Sequence, residues 1–122
     1  MKIIIAGAGD VGFHLAKLLS YESQDIYVVD LDSDKLNYLD SHLDVISTKG
    51  DATSIKVLQD LDIAKTDLLI AVTDSQNTNF TIAVIGKKLG AKKTIARINN
   101  PEFIKNTKID FKELGLDYAI SP

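Results

Sequence analysis

The chain has 122 residues, of which 45% are hydrophobic and 25% are charged, an ordinary composition for a single soluble domain. Its 14 basic and 17 acidic residues give a net charge of −3, which excludes a general electrostatic attraction to nucleic acid. The absence of cysteine excludes disulfides and thiolate chemistry, and no apolar run approaches the ~20 residues of a membrane-spanning helix.

Short β-branched runs alternate with helical patterns along the chain, which is typical of βαβ units and a parallel sheet. In chain order, strands are predicted at residues 2–6, 25–30, 45–47, 67–72, 93–98 and 117–120. Helices are predicted at residues 10–21, at 33–41, around Ile55, Leu58 and Leu61, at 78–89, and more weakly from Pro101. We therefore predict an α/β fold, a Rossmann-like doubly wound parallel sheet with helices on both faces.

The helical segments carry apolar sides and capping residues that sharpen this prediction. The first helix has four apolar residues on one side, which we expect to be buried: Val11, Leu15, Leu18 and Leu19. Asp32 or Ser33 can cap the second helix, and Thr53 or Ser54 can cap the third. Residues 73–77 are predicted to form a polar loop before the fourth helix.

No internal repeat, low-complexity tract or flexible linker interrupts the sequence, so we expect residues 1–122 to form one domain. Because no helix follows the last predicted strand to cover the sheet, we expect this domain to belong to a longer protein. The apolar residues near the start are too few for a signal peptide, since Asp10 interrupts them. The expected location is therefore the cytoplasm.

Residues 7–12 (Gly-Ala-Gly-Asp-Val-Gly) form a G-x-G-x-x-G motif between a predicted buried strand and a predicted helix. Gly7 permits a tight turn, and Gly12 lets the helix pack closely on the strand. A side chain at Gly9 would collide with a bound pyrophosphate, whose charge suits the free N–H groups at a helix start. The motif predicts a site for nucleotide phosphates, and a strand-to-helix turn without a ligand is the alternative.

Asp30 closes the second predicted strand, 18 residues after Gly12 and near the ~20 expected for a ribose-binding acid. We expect its carboxylate to accept hydrogen bonds from the adenosine 2′- and 3′-hydroxyls and to repel the 2′-phosphate of NADP. The alternative is a solvated loop acid or a helix cap. Residues 30–34 (Asp-Leu-Asp-Ser-Asp) also resemble the start of a calcium loop, but Lys35 and Ser41 stand where glycine and glutamate are required. No metal site is predicted.

With these motifs in place, the whole chain resembles a TrkA-N/RCK domain, the nucleotide-binding module of potassium-uptake regulators. Each motif is short, but their order and spacing together are specific. The motifs are residues 5–12 (Ile-Ala-Gly-Ala-Gly-Asp-Val-Gly), 28–30 (Val-Val-Asp), 50–53 (Gly-Asp-Ala-Thr), 71–74 (Ala-Val-Thr-Asp), 77–79 (Asn-Thr-Asn), 95–98 (Ile-Ala-Arg-Ile) and 120–122 (Ile-Ser-Pro).

The resemblance implies a cytoplasmic regulatory subunit that forms a homodimer and then a ring beneath a membrane-embedded potassium-transporting subunit. It also implies that NAD(H), or else ATP or ADP, binds as an effector and is not consumed. Asp51 and Ala52 would border the adenine, while Thr73 and Asp74 would line the far end of the cleft. Arg97 would lie near the phosphates or at the subunit interface.

Motif and resemblance together give one set of candidate cofactor-binding residues. They are Gly7, Ala8, Gly9, Asp10, Val11, Gly12, Asp30, Leu31, Asp51, Ala52, Thr73, Asp74 and Arg97. Structural alternatives stay open for several of them. Asp51 can be a turn acid that caps the next helix, Thr73 and Asp74 can serve as ordinary loop and capping residues, and Arg97 can form a surface ion pair.

The sequence departs from the family pattern in two ways. Family members typically continue into a crossover helix and a C-terminal ligand-binding domain, which these 122 residues do not contain. Asp10 occupies the motif position where ATP-binding relatives tend to carry a basic residue. Because a carboxylate beside the extra charge of a triphosphate is unfavourable, we favour NAD(H) over ATP as the ligand.

No sequence feature predicts catalysis. The chain has no Tyr-x-x-x-Lys pair, no G-x-S-x-G or H-E-x-x-H motif and no P-loop, and we expect His14 and His42 to be surface or packing residues. We therefore predict a ligand-sensing domain and not an enzyme. The cofactor domain of an NAD-dependent oxidoreductase, or an NAD-binding redox sensor with no channel, are the alternatives.

Overall fold

A computed structural model describes residues 1–22 and 24–121. Its strands are β1 (Lys2–Ala6), β2 (Asp25–Asp30), β3 (Ile46–Lys49), β4 (Leu68–Ala71), β5 (Lys93–Arg97) and β6 (Tyr118–Ile120). Its helices are α1 (Asp10–Ser20), α2 (Ser33–His42), α3 (Ile55–Asp60), α4 (Gln76–Lys88), α5 (Pro101–Lys105) and α6 (Phe111–Leu114), with a 3₁₀ helix at Ile63–Lys65. None of the helices in these two ranges is long and apolar enough to cross a membrane. Pro122, which ends the last motif of the family resemblance, lies outside the described residues.

The strands form one parallel sheet in the order β3-β2-β1-β4-β5-β6. In the central register, Ile4 pairs with Tyr27 on one side and with Leu69 on the other. The chain first builds outward from β1 to β3 and then crosses back to β4, so its direction of winding reverses between β1 and β4. This is the doubly wound fold that the alternation of elements predicts, and such a reversal leaves a crevice beyond the carboxyl ends of the strands.

Helices cover both faces of the sheet, and each face has its own apolar core. Ile3 and Ile5 of β1 pack with Ala16 and Leu39 from α1 and α2 on one face. The alternate β1 residues contribute to the opposite core, which α3, α4 and α6 complete. Because both faces of β1 are buried, its sequence is almost continuously apolar, as predicted for a central parallel strand.

The apolar side predicted for α1 is wrong in part. Leu18 is exposed, and Val11, Leu15 and Leu19 are only partly buried. The fully buried residues of this helix are Gly12 and Ala16. Because Gly12 and Ala16 are small, the axis of α1 can lie close to the sheet, and the larger side chains of α1 then lie at the rim of the helix–sheet contact.

Two kinds of element end differ from the predictions. One is the start of a helix that a side chain caps, and the other is the end of a strand at the edge of the sheet. Ser75 Oγ accepts the Thr78 N–H at 3.2 Å, so α4 begins at Gln76 and the predicted loop is two residues shorter. Of the alternative caps, Asp32 caps α2 and Ser54 caps α3. Strand β3 covers Ile46–Lys49 and not 45–47, since its pairing with β2 sets its register.

Candidate functional site

A cavity of about 290 Å³ opens at the carboxyl edge of the sheet, where the winding reverses. Most of its wall comes from the ends of β1, β2, β3 and β4 and the segments that follow them, and α2 and α4 contribute the rest. These segments bring together eight of the residues predicted from sequence: Gly7, Gly9, Asp30, Leu31, Asp51, Ala52, Thr73 and Asp74. Residues from four separate parts of the chain therefore meet in one cleft.

The glycines of the motif differ in what requires them. Gly7 has φ +116°, a conformation that favours glycine, and a Cβ there would lie 2.8 Å from the carbonyl oxygen of Val72. A Cβ on Gly12 would overlap the carbonyl oxygen of Gly7. A Cβ on Gly9, by contrast, would meet no described atom within 4 Å. Protein packing explains Gly7 and Gly12, whereas Gly9 leaves an open approach to the backbone.

Helix α1 starts without a side-chain cap, in contrast to the other α-helices of the described ranges. Its N-cap is Gly9, whose carbonyl accepts the Phe13 N–H at 2.8 Å. The N-caps of the remaining α-helices each accept backbone N–H groups through their side chains: Asp32, Ser54, Ser75, Asn100 and Asp110. The first turn of α1 therefore presents N–H groups without intrahelical partners, at the positive end of the helix dipole and beside the cleft.

Asp30 links the phosphate turn to the end of β2. One carboxylate oxygen accepts the Ala8 N–H at 2.7 Å, and the other accepts the Asp32 N–H at 2.8 Å. A carboxylate has about four lone-pair sites, so each oxygen retains capacity for one further donor such as a hydroxyl. Because the Ala8 N–H donates to Asp30, it is not available to donate to a ligand.

The carboxylate of Asp51 is held within its own turn. It accepts both the hydroxyl of Thr53, at 2.7 Å, and the backbone N–H of Thr53, at 2.9 Å. These two hydrogen bonds lower the pKa of Asp51 below its usual value, so the side chain is ionised at neutral pH. Ser54, and not Asp51, caps the helix that follows.

At the opposite end of the cavity, Thr73 is part of an internal network. Its N–H and its hydroxyl both donate to Oδ1 of Asn79, at 2.8 Å and 2.6 Å. Ser75 beside it is used as the cap of α4. The hydrogen bonds of Thr73 therefore agree with the alternative that it serves as an ordinary loop residue. Asp74 lines the cavity, and its side chain makes no hydrogen bond to another described residue.

Sequence reasoning missed Lys35, which lines the same cavity as Asp30 and Asp51. Among the described lining residues it is the one cationic side chain, set against three carboxylates. Lys35 lies in the first turn of α2, and its position just after Asp30 was the available signal. It also lines a neighbouring depression of about 470 Å³ that shares Gly9 with the cleft.

The remaining candidates lie outside the main cavity. Ala8 and Asp10 line the neighbouring depression, where Phe13, His14 and Tyr38 form an aromatic wall. Three further candidates contact other parts of the protein. Val11 is partly buried in α1, Gly12 packs on Gly7, and Arg97 ends β5, where its carbonyl accepts a hydrogen bond from Asn79 at 3.0 Å. Any ligand contact by these residues stays a prediction.

The sequence matches a known family along almost its whole length. Residues 3–122 match the family described as the TrkA-N domain. The chain is 37% identical over 122 residues to a Trk system potassium uptake protein TrkA homolog from Archaeoglobus fulgidus, of which it covers 28%. It is 40% identical over 125 residues to the Trk system potassium uptake protein TrkA of Haemophilus influenzae, of which it covers 27%. The chain thus spans about a quarter of the length of these curated relatives.

Solved structures share the fold at low sequence identity. The TrkA-N domain of the inner membrane protein ybaL from Escherichia coli has a TM-score of 0.84 at 16% identity, covering 98% of this chain and 86% of that one. The GsuK channel bound to NAD has a TM-score of 0.81 at 20% identity, covering 98% and 21%. The AMP-bound Kef CTD of Shewanella denitrificans has a TM-score of 0.76 at 20% identity, covering 100% and 72%.

Proposed function

Because the chain belongs to the TrkA-N domain family, we propose that it is the nucleotide-sensing domain of a potassium-uptake regulator and binds NAD(H) in this cleft. The observation that carries the proposal is the arrangement of the backbone at Gly9. It combines an open approach to the backbone with the uncapped start of α1. An anionic diphosphate suits both features, because it accepts hydrogen bonds from free amides and is stabilised by the helix dipole.

In this proposal the adenosine half occupies the part of the cleft beside Asp30 and Asp51. The free acceptor sites of Asp30 bind the ribose hydroxyls, and Leu31 and Ala52 border the adenine. The second half of a dinucleotide extends toward Thr73 and Asp74. Hydrogen-bonding groups suited to a nucleotide thus follow one another along the cleft.

The charge of the cleft favours NAD(H) over more highly phosphorylated nucleotides. Among the described lining residues, the carboxylates of Asp30, Asp51 and Asp74 outnumber the one cation, Lys35. The lowered pKa of Asp51 keeps that carboxylate ionised. The 2′-phosphate of NADP or the third phosphate of ATP would add negative charge to this environment, which is unfavourable. ADP or ATP is the alternative effector, and similar structures are described as bound to NAD, to ADP and to AMP.

We infer a regulatory role for the nucleotide and no turnover. The described residues that line the cleft include no histidine or tyrosine to transfer a proton beside a nicotinamide. A regulatory nucleotide acts by binding one arrangement of the protein more tightly than another. The curated relatives named above are potassium uptake proteins, which supports potassium transport as the regulated process.

The remaining parts of the proposal concern the whole protein. We propose that residues 1–122 are one domain of a longer cytoplasmic regulator, since the chain spans about a quarter of its curated relatives. The regulator would assemble as a homodimer or a ring on a membrane-embedded potassium-transporting subunit. In that arrangement it is peripheral to the inner face of the membrane, and it binds no nucleic acid.

Titration calorimetry with Gly9→Val tests the proposal directly. Gly9 has φ −73°, which any residue adopts, so the variant should fold, with a melting temperature lowered only by the weaker N-cap preference of valine. Binding of NAD, NADH and ADP should nevertheless be lost, because the valine side chain fills the approach to the backbone. Unchanged affinity in the folded variant would place the nucleotide elsewhere. Hydride transfer by the full-length protein would instead favour an oxidoreductase.

A further inference from the structure

Asn79, in the first turn of α4, is one of the few polar side chains that are completely buried in the described ranges. Its relative exposure is 0%, a property that it shares with Thr66 and Thr94. Burying a carboxamide is unfavourable unless its donors and acceptors are satisfied. The partners of Asn79 therefore indicate what the residue holds in place.

The carboxamide of Asn79 uses its full hydrogen-bonding capacity. Oδ1 accepts the Thr73 N–H at 2.8 Å and the Thr73 hydroxyl at 2.6 Å. Nδ2 donates to the carbonyl of Thr73 at 3.0 Å and to the carbonyl of Arg97 at 3.0 Å. The orientation of the amide follows from its partners, because two carbonyls require N–H donors and a backbone N–H requires an acceptor.

These four bonds fix one wall of the cleft. Both backbone polar groups of Thr73 and its hydroxyl are bound to Asn79, so the segment after β4 cannot shift without breaking several hydrogen bonds at once. The bond to Arg97 ties the same segment to the end of β5. One turn away, Oε1 of Gln76 accepts the Asn100 N–H at 2.7 Å, which ties α4 to the segment after β5 as well.

The other end of the cleft is held by different contacts. Asp30 is anchored through the amides of Ala8 and Asp32, and Asp51 is anchored through Thr53. None of these contacts involves α4. The cleft thus has a near end beside Asp30 and a far end beside Thr73, each with its own set of hydrogen bonds.

We propose that Asn79 is a positioning residue for the far end, which sets the affinity for the second half of a dinucleotide and not for its adenosine half. The inference rests on the proposed function, since it presupposes that a nucleotide lies along the cleft. It assigns Thr73 a role different from direct binding. Thr73 contributes the shape of the wall, and Asn79 fixes that shape.

The test compares NAD with AMP in titration calorimetry, because AMP lacks the second nucleoside and its phosphate. Asn79→Asp has the same shape but removes both N–H donors to the carbonyls of Thr73 and Arg97. The loss of these two buried hydrogen bonds should weaken NAD binding by about tenfold or more, while AMP binding should change by less than about twofold. Thr73→Val removes the hydroxyl, with its bond to Asn79 and its two longer contacts to the backbone of Ser75, and keeps both N–H donors of Asn79. It should change the ratio of NAD to AMP affinity in the same direction by a smaller factor.

Thr94→Val is the matched control. Thr94 is equally buried, and its hydroxyl donates to the carbonyl of Gly115 and accepts the Asp117 N–H at 3.0 Å. It lies near the start of β5, at the opposite edge of the sheet from the cleft. Its loss should lower the melting temperature and leave the ratio of NAD to AMP affinity unchanged, which separates positioning from general stability.

The outcomes are distinguishable. A folded Asn79→Asp or Thr73→Val variant that binds NAD and AMP in the wild-type ratio overturns the inference and leaves the proposed function intact. A wild-type protein that binds neither nucleotide overturns the proposed function, and the inference with it. Should Asn79→Asp fail to fold because it buries a charge, the ratio measured with Thr73→Val decides the question.

Discussion

The turn from β1 to α1 and the turn from β4 to α4 lie at the same edge of the sheet, and both contribute to the cleft. The first starts its helix at Gly9 without a side-chain cap. The second closes its helix start with Ser75 and occupies the polar groups of Thr73 with Asn79. The two turns are alike in topology and opposite in how their backbone groups are satisfied.

This contrast separates two requirements of a binding site. Free amides at the start of α1 leave hydrogen-bonding capacity for an anionic ligand, at some cost in the stability of the unliganded protein. The filled network at the start of α4 has no such capacity but fixes the wall against which a ligand would lie. We call the β1–α1 turn at Gly9 the open turn and the β4–α4 turn at Thr73 and Ser75 the closed turn. The open turn provides hydrogen-bond donors for a ligand, and the closed turn provides a fixed wall for the cleft.

The largest expected effect separates the glycines within the open turn. Gly12→Ala should lower the free energy of unfolding by roughly 1–3 kcal/mol, because its Cβ overlaps the carbonyl oxygen of Gly7. Gly9→Ala is the matched control: its Cβ meets no described atom, so it should lose only the modest preference for glycine over alanine at an N-cap, less than the loss at Gly12. Urea denaturation measures both. Equal destabilisation of the two variants would remove the distinction between a packing glycine and a ligand glycine.

A second substitution tests the acid that joins the open turn to β2. Asp30→Ala should weaken NAD binding by about 1–3 kcal/mol and reduce discrimination against NADP, since it removes a charged acceptor. It should also lower stability, because the Ala8 N–H loses its partner. Asp32→Asn is the control: asparagine caps a helix as well as aspartate does, so both affinity and stability should be kept. An unchanged NAD affinity in Asp30→Ala would show that the ribose lies elsewhere.

The smallest expected change comes from converting the open turn toward the closed one. Gly9→Ser supplies the hydroxyl that α1 lacks and should raise the free energy of unfolding by only a few tenths of a kcal/mol. Its NAD affinity should fall, because the new side chain competes for the amides and occupies the approach. Ser75→Ala, the reverse change at α4, should cost about 0.5–2 kcal/mol. A Gly9→Ser variant that binds NAD as tightly as the wild type would contradict the proposed role of the open turn.

The fold and the near half of the cleft were predictable because they depend on local sequence. Alternating strand and helix patterns, the spacing of Gly7, Gly9 and Gly12, and an acid at the end of the second strand all lie within short segments. Each has a direct physical reason in backbone geometry or helix dipoles. The match to the TrkA-N family and the doubly wound sheet confirm the family and the fold, and ligand binding by the near half of the cleft stays a prediction.

Other features depend on contacts between segments that are distant in sequence. The exposure of Leu18 follows from the close approach of Gly12 and Ala16 to the sheet, which the apolar periodicity of α1 does not reveal. Lys35 reaches the cleft because of how α2 begins beside Asp30. The bonds of Asn79 join residues 73, 79 and 97, which meet only when β4 and β5 pair.

The sequence by itself determined the order of elements, the parallel sheet and the glycine turn, because short-range periodicity and the conformational freedom of glycine act within a few residues. Only the tertiary structure decided which polar groups are left free and which are satisfied. A hydrogen bond depends on the distance between two groups in space. The amide of Ala8 is bound by an aspartate 22 residues away, and the amide of Thr73 by an asparagine in another element.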